Sequence, residues 1–99
     1  MNEICIGRVV ISRAGHDKGK AFAVVGMEDG QYVLLSDGDL RKIAKPKRKK
    51  RMHVFATPFV SAELKESIEK GVMPLDASIR KAVGSVTASG KQEEEGYIV

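Results

Sequence analysis

Tryptophan is absent from this 99-residue sequence, cysteine occurs once, proline three times, and aromatic residues make up only 5%. With Cys5 alone, no intrachain disulfide can form and no cysteine-based metal site can be assembled. A reduced, intracellular location is the default that follows. His16 and His53 have no cysteine partner and no ligand spacing, so neither a metal nor another cofactor is expected. No stretch approaches the roughly 18 consecutive apolar residues of a membrane span. The opening MNEICIGRVV has neither the basic leader nor the long apolar run of a secretory signal, and a cytoplasmic protein without membrane contact is expected. Catalytic patterns are missing too. There is no nucleophile elbow and no paired-carboxylate motif, and Gly15 to Lys20 is too short and wrongly spaced for a Walker A loop. The reading is of a protein that is not an enzyme and takes no small-molecule substrate.

What is abundant is positive charge, and it is unevenly placed. Seventeen Lys and Arg against thirteen Asp and Glu give a net charge of +4. Met1 to His53 hold twelve of the basic and six of the acidic residues, whereas Val54 to Val99 hold five and seven. A positive front half suits an anionic partner.

That front half reads as short strands bounded by turns. Arg8–Ser12, Ala21–Met27 and Tyr32–Leu35 are apolar and β-branched. Glu28-Asp29-Gly30 is a hairpin turn between the second and third, because Asp-Gly adopts positive φ readily. Leu40–Ile43 is expected to add a fourth strand and Met52–Ala56 a fifth. Five short strands within some sixty residues predict a mainly β fold, a small SH3-like β-barrel with its edges covered by curling. Core candidates are Val9, Ile11, Val24, Tyr32, Leu34 and Val54. After Pro58 the pattern turns helical: Ser61 is a predicted N-cap and Gly71 a stop, with Leu64 and Ile68 four apart on one face. Asp76 is predicted to cap a second helix through Val83, with Ile79 and Val83 again four apart. The organisation expected is a barrel over residues 1–57, a short helical extension over 58–84 and a flexible acidic tail over 85–99.

Three features carry the chemistry. In the loop from Arg13 to Lys20, Gly15 and Gly19 bend the backbone and permit close approach, while Arg13, His16, Lys18 and Lys20 surround the turn with cationic or polar donors. An ordinary solvated hairpin turn uses the same residue types. The second feature is Arg41–Arg51, in which Arg41, Lys42, Lys45, Lys47, Arg48, Lys49, Lys50 and Arg51 are basic and none of the eleven is acidic. Pro46 and mutual repulsion predict an extended arm suited to neutralising phosphates and releasing counterions. A nuclear-localisation signal reads similarly, whereas a membrane-surface role would need an apolar face that the run lacks. Third, His16 and His53 stand beside basic residues and can donate to phosphate or stack on a base. Readers of single strands display several aromatics on a sheet; Phe22, Tyr32, Phe55, Phe59 and Tyr97 are the whole supply here, and most are expected in the core. Recognition is therefore expected through the backbone and shape of structured RNA.

The run GRVVISRAGHDKGK, Gly7 to Lys20, resembles a KOW motif, the RNA-contacting element of several ribosomal proteins and elongation factors. The likeness continues through DGQYVLLSDGDLRKIAKPKRKKRMH, Asp29 to His53. Together the two segments cover about the first half of the chain and resemble the KOW-type large-subunit ribosomal proteins of archaea and eukaryotes and their small bacterial relatives. One departure is Phe22, where many KOW motifs carry a third glycine; it bears more on the elongation-factor branch than on the ribosomal one. The resemblance implies a KOW domain that binds ribosomal RNA in a ribosomal or ribosome-associated protein. The alternative left open is a protein-interaction module, binding RNA polymerase or a ribosomal protein through the barrel and the Leu64/Ile68 face.

Overall fold

Strand alternation explains most of the architecture. In the computed structural model, which describes residues 3–93, β1 (Arg8–Ser12), β2 (Ala21–Glu28), β3 (Tyr32–Ser36), β4 (Lys47–Lys50) and β5 (Val54–Val60) form one antiparallel sheet. Its order is β4-β3-β2-β1-β5. The registers Val10↔Phe22 and Val24↔Leu35 place these four side chains on one face, with Val33 and Val54. Successive residues point to opposite faces, so Val9, Ala21 and Ala23 lie on the other, where Leu64, Ile79 and Ala82 of the helices cover them. Both faces are thus buried, which is why the strands read as unbroken apolar runs.

Val9, Val24 and Val54 are buried as expected, and Ile11 packs at the edge of the helix-covered face. In β3 the buried residues are Val33 and Leu35, whereas Tyr32 and Leu34 are half-buried. The run YVLL offered no polar position to fix its phase. The largest fully buried side chain is Phe22. Of the other aromatics, Phe59 packs against the helix-covered core, Phe55 is 53% accessible on the outward side of the edge strand β5, and Tyr97 lies outside the described residues.

Three local readings are corrected. Leu40–Ile43 is not a strand, because Asp37 Oδ1 accepts from the Asp39 and Arg41 amides, both at 2.9 Å, and Ser36 Oγ donates to Arg41 O at 2.6 Å. These bonds hold the β3–β4 connection as a built turn. The fifth strand starts at Val54 and continues through Pro58 to Val60. An edge strand needs no second ladder, so proline is tolerated there. The basic run is not an extended arm throughout, since Lys47–Lys50 pairs with β3.

Two helices complete the fold. Ser61 caps α1 (Ala62–Glu69), its Oγ accepting from the Leu64 amide at 3.2 Å. Leu64 is fully buried. Helix α2 (Asp76–Glu93) runs well past Val83, so the segment expected to be flexible from Ser85 is helical as far as Glu93. Residues 94–99, the rest of that expected tail, lie outside the described residues. Among the described residues no helix is long and apolar enough to cross a membrane.

Candidate nucleic-acid interface

The β1–β2 loop leaves the sheet at Ser12 and returns at Ala21. Its backbone is fixed at both ends, by Ser12 N to Lys20 O at 2.9 Å and Gly19 N to Ser12 O at 2.8 Å. Between them Gly15–Asp17 makes one 3₁₀ turn. Gly15 and Gly19 both have positive φ, 77° and 88°, as the bend requires. Arg13, His16, Lys18 and Lys20 are exposed around this turn.

Strand β4 supplies the second basic element, and its alternation divides the cations. Lys47 and Lys49 are half-buried and turn toward the loop; Arg48 and Lys50 are exposed on the opposite side. Lys47 Nζ donates to Asp17 Oδ2, and Lys49 Nζ donates to Ala14 O at 3.0 Å. The Arg13 amide donates to His53 O at 2.8 Å, which ties in the 3₁₀ turn Arg51–His53 between β4 and β5. Loop, strand and turn therefore form one cationic surface from residues separated by about thirty positions in sequence.

Asp17 organises this surface, and sequence reading passed over it although it is the lone acid in the loop. The hydrogen bond from Lys47 holds its carboxyl below the usual 3.8; burial opposes this, and the charges of Lys47, Lys49 and Lys20 reinforce it. A depressed pKa adds stability above the unfolded value, near 3.9, that is lost as pH falls through the folded value. Asp17→Asn is thus expected to cost about 0.5–1 kcal/mol at pH 7. Urea unfolding of both proteins from pH 7 to pH 2.5 should show the difference shrink as the pH falls below the unfolded value.

Arg48 is already engaged. Its Nε lies 2.7 Å from Glu28 Oε1, and its guanidinium sits 3.6 Å from the centroid of Tyr32. The carboxylate of Glu28 holds the guanidinium more firmly charged. Arg51 Nη1 donates to Gly30 O at 3.2 Å, fastening the 3₁₀ turn to the β2–β3 hairpin. Lys18, Lys20 and Lys50 make no ion pair among the described residues.

Not every predicted site residue joins this surface. Arg41, Lys42 and Lys45 are exposed in the β3–β4 connection, which is fastened to α2 by Ile43 N donating to Asp76 Oδ1 at 2.8 Å. No ion pair among the described residues links their side chains to the loop. Among the described residues no group of three or more His, Cys, Asp or Glu is placed to hold a metal ion. Comparison with family models and with curated proteins finds no match to this chain.

Proposed function

We propose that the chain is an RNA-binding domain of the KOW type, an SH3-like curl of its five-stranded sheet that docks on the phosphate backbone of structured RNA. Ribosomal RNA is the target class, a ribosomal or ribosome-associated role in the cytoplasm follows, and no catalytic role is assigned. The observation that carries the reading is the pinning of the β1–β2 loop onto β4 by Lys47–Asp17 and Lys49–Ala14. Two basic segments that sequence separates thereby present their charge together, with Lys18, Lys20 and Lys50 uncommitted and solvent-facing. Charge concentrated on a rigid face is what phosphate contact needs, and the exposed aromatics are too few for a stacking platform.

The protein-binding alternative has one observation in its favour, which keeps Ile68 of the expected Leu64/Ile68 face as a groove-lining residue and drops Leu64. Leu64 is buried against Ile79 and so is not a docking residue. An apolar groove instead opens between Val25, Leu34, Ile43 and the α1–α2 connection, where Val72 and Met73 are 58% and 66% exposed. Co-sedimentation with ribosomal particles separates the two readings. RNA binding predicts association that ribonuclease abolishes and that weakens steeply between 50 and 300 mM salt, by about 0.7–0.9 logarithmic units per phosphate contact for each decade of salt. Association that survives ribonuclease and is lost in Met73→Asp would replace it with the protein-binding reading.

A further inference from the structure

Beside the basic loop lies an open cleft of about 440 Å³, within the range of about 300–1,000 Å³ that small-ligand sites occupy. Gly19 and Lys20 form the wall that it shares with the loop. Asp39 and Leu40 line it from the β3–β4 connection, and Arg80 and Gly84 from α2.

Leu40 is 77% exposed, although the turn that carries it is fixed by the Asp37 carboxylate accepting from the Asp39 and Arg41 amides. A large apolar side chain is thus held in the open at the edge of the cleft. Gly84 sits in the interior of α2, where glycine is among the least favourable residues. A Cβ there would meet nothing within 4 Å, so no neighbour demands the small residue. The missing side chain keeps the cleft open instead. A local rule broken without a packing reason marks a functional position. Arg80 donates from Nη1 to Gly38 O at 2.7 Å, which restrains its guanidinium in the cleft wall, and it makes no ion pair among the described residues.

The charges that line the cleft cancel, Lys20 and Arg80 against Asp37 and Asp39. Unlike the loop beside it, the cleft therefore does not select an anion. It suits an uncharged planar group whose edge donates hydrogen bonds. A guanidinium plane is a stacking surface for a nucleobase, and Asp39 makes no ion pair among the described residues. The two oxygens of a carboxylate match the adjacent N1–H and N2–H donors on the Watson–Crick edge of guanine.

We propose that the cleft between the β1–β2 loop and α2 receives one unpaired guanine base of an RNA whose phosphate backbone lies on that loop. The base stacks on the Arg80 guanidinium, meets Leu40 and Val83 with its apolar surface and donates to Asp39, while the phosphate stays with Lys20 at the mouth. This rests on the RNA-binding reading and extends it: the loop supplies affinity that is blind to sequence, and the cleft supplies a base contact. A single bulged nucleotide needs one stacking partner, not the row of aromatics that a reader of single strands displays.

The test measures Kd for RNA hairpins of identical stem, one fully paired, one with a bulged guanosine and one with a bulged uridine, at about 0.1 M salt, where the Debye length is about 10 Å. The bulged guanosine is expected to tighten binding by about 5–100-fold over the paired stem, the range for one stacked base. Gly84→Leu fills the cleft with a better helix former. It should bring the bulged and paired hairpins to equal affinity without lowering the thermal midpoint of the protein. Asp39→Asn presents one acceptor and one donor in place of two acceptors, and should reduce the guanosine bulge to the level of the uridine bulge. Free GMP should bind about 100-fold more weakly than the guanosine-bulged hairpin, since it lacks the remaining phosphate contacts. Equal binding of paired and bulged hairpins by the parent protein, or a gain that survives Gly84→Leu, overturns the proposal and leaves RNA binding in place. GMP that binds as tightly as the hairpin makes the cleft a free-nucleotide site and also overturns it. So does ribonuclease-resistant association with ribosomal particles that Gly84→Leu removes, which gives the cleft to a protein. Failure of every hairpin to bind sinks the RNA-binding reading itself, and the cleft with it.

Discussion

Alanine at Gly38 is expected to cost about 2–4 kcal/mol of folding free energy, whereas alanine at Gly30 costs about 1–2 kcal/mol. Both glycines have positive φ, 73° and 68°, so both substitutions carry the left-handed penalty. Their surroundings differ. A Cβ on Gly30 meets nothing within 4 Å, but one on Gly38 lies 2.3 Å from Asp76 O and 3.1 Å from the Arg80 amide. Those are backbone atoms of α2, which a side-chain rotation cannot move aside. The same junction is fastened by Arg80 Nη1 donating to Gly38 O at 2.7 Å, so relief of the clash breaks a bond as well. Displacing the start of α2 also loosens Ile79 and Ala82 from Val9 and Ala23. A domain of this size has only about 5–15 kcal/mol in hand. Urea midpoints at unchanged m-value give the comparison, and equal losses at the two positions would show that α2 does not bear on Gly38.

How far the sequence disclosed this arrangement depends on whether a residue's neighbours along the chain were also its neighbours in space. The β2–β3 hairpin was legible because Asp29-Gly30 decides its own geometry, with φ of 53° and 68°. Ser61 was legible as a cap for the same reason. The face of β3 was not, because a strand buried on both sides has no polar phase marker, and Tyr32 was consequently placed in the core when it carries Arg48 on its ring. The fate of Arg41–Arg51 was hidden for a different reason. Repulsion among eight cations argues for an open arm until Asp17 and Glu28, distant in sequence, are seen to neutralise Lys47 and Arg48. Lysine on an edge strand also blocks pairing with other chains, so a strand and a charge run are compatible readings of the same residues. The segment from Arg13 to Lys20 does form one loop between β1 and β2, but the strand it is fastened to, β4, lies about thirty residues away and gave no local signal.

Removing the uncommitted cations should then separate charge from position. Lys18→Ala/Lys20→Ala/Lys50→Ala is expected to lower the salt slope of RNA binding by about 2–3, since each phosphate contact contributes about 0.7–0.9. At about 1 kcal/mol for each contact, the upper end for exposed ion pairs, affinity falls on the order of 100-fold. Two charge-neutral variants distinguish this from general disruption. Glu28→Ala/Arg48→Ala removes a pair that is already satisfied, exposed and 2.7 Å apart, and should leave slope and affinity nearly as they were. Asp17→Ala/Lys47→Ala also leaves the net charge alone, but it unfastens the β1–β2 loop from β4. Its slope should stay within about 1 of the parent protein while its affinity drops about tenfold, because the same number of phosphates is met by a loop that must first be ordered. Filter binding or anisotropy from 50 to 300 mM salt measures all four proteins. Equal slopes in the triple lysine variant and the parent would remove Lys18, Lys20 and Lys50 from the interface. An affinity unaffected by loss of the Asp17–Lys47 pair would leave the loop's charge relevant and its fixed position irrelevant.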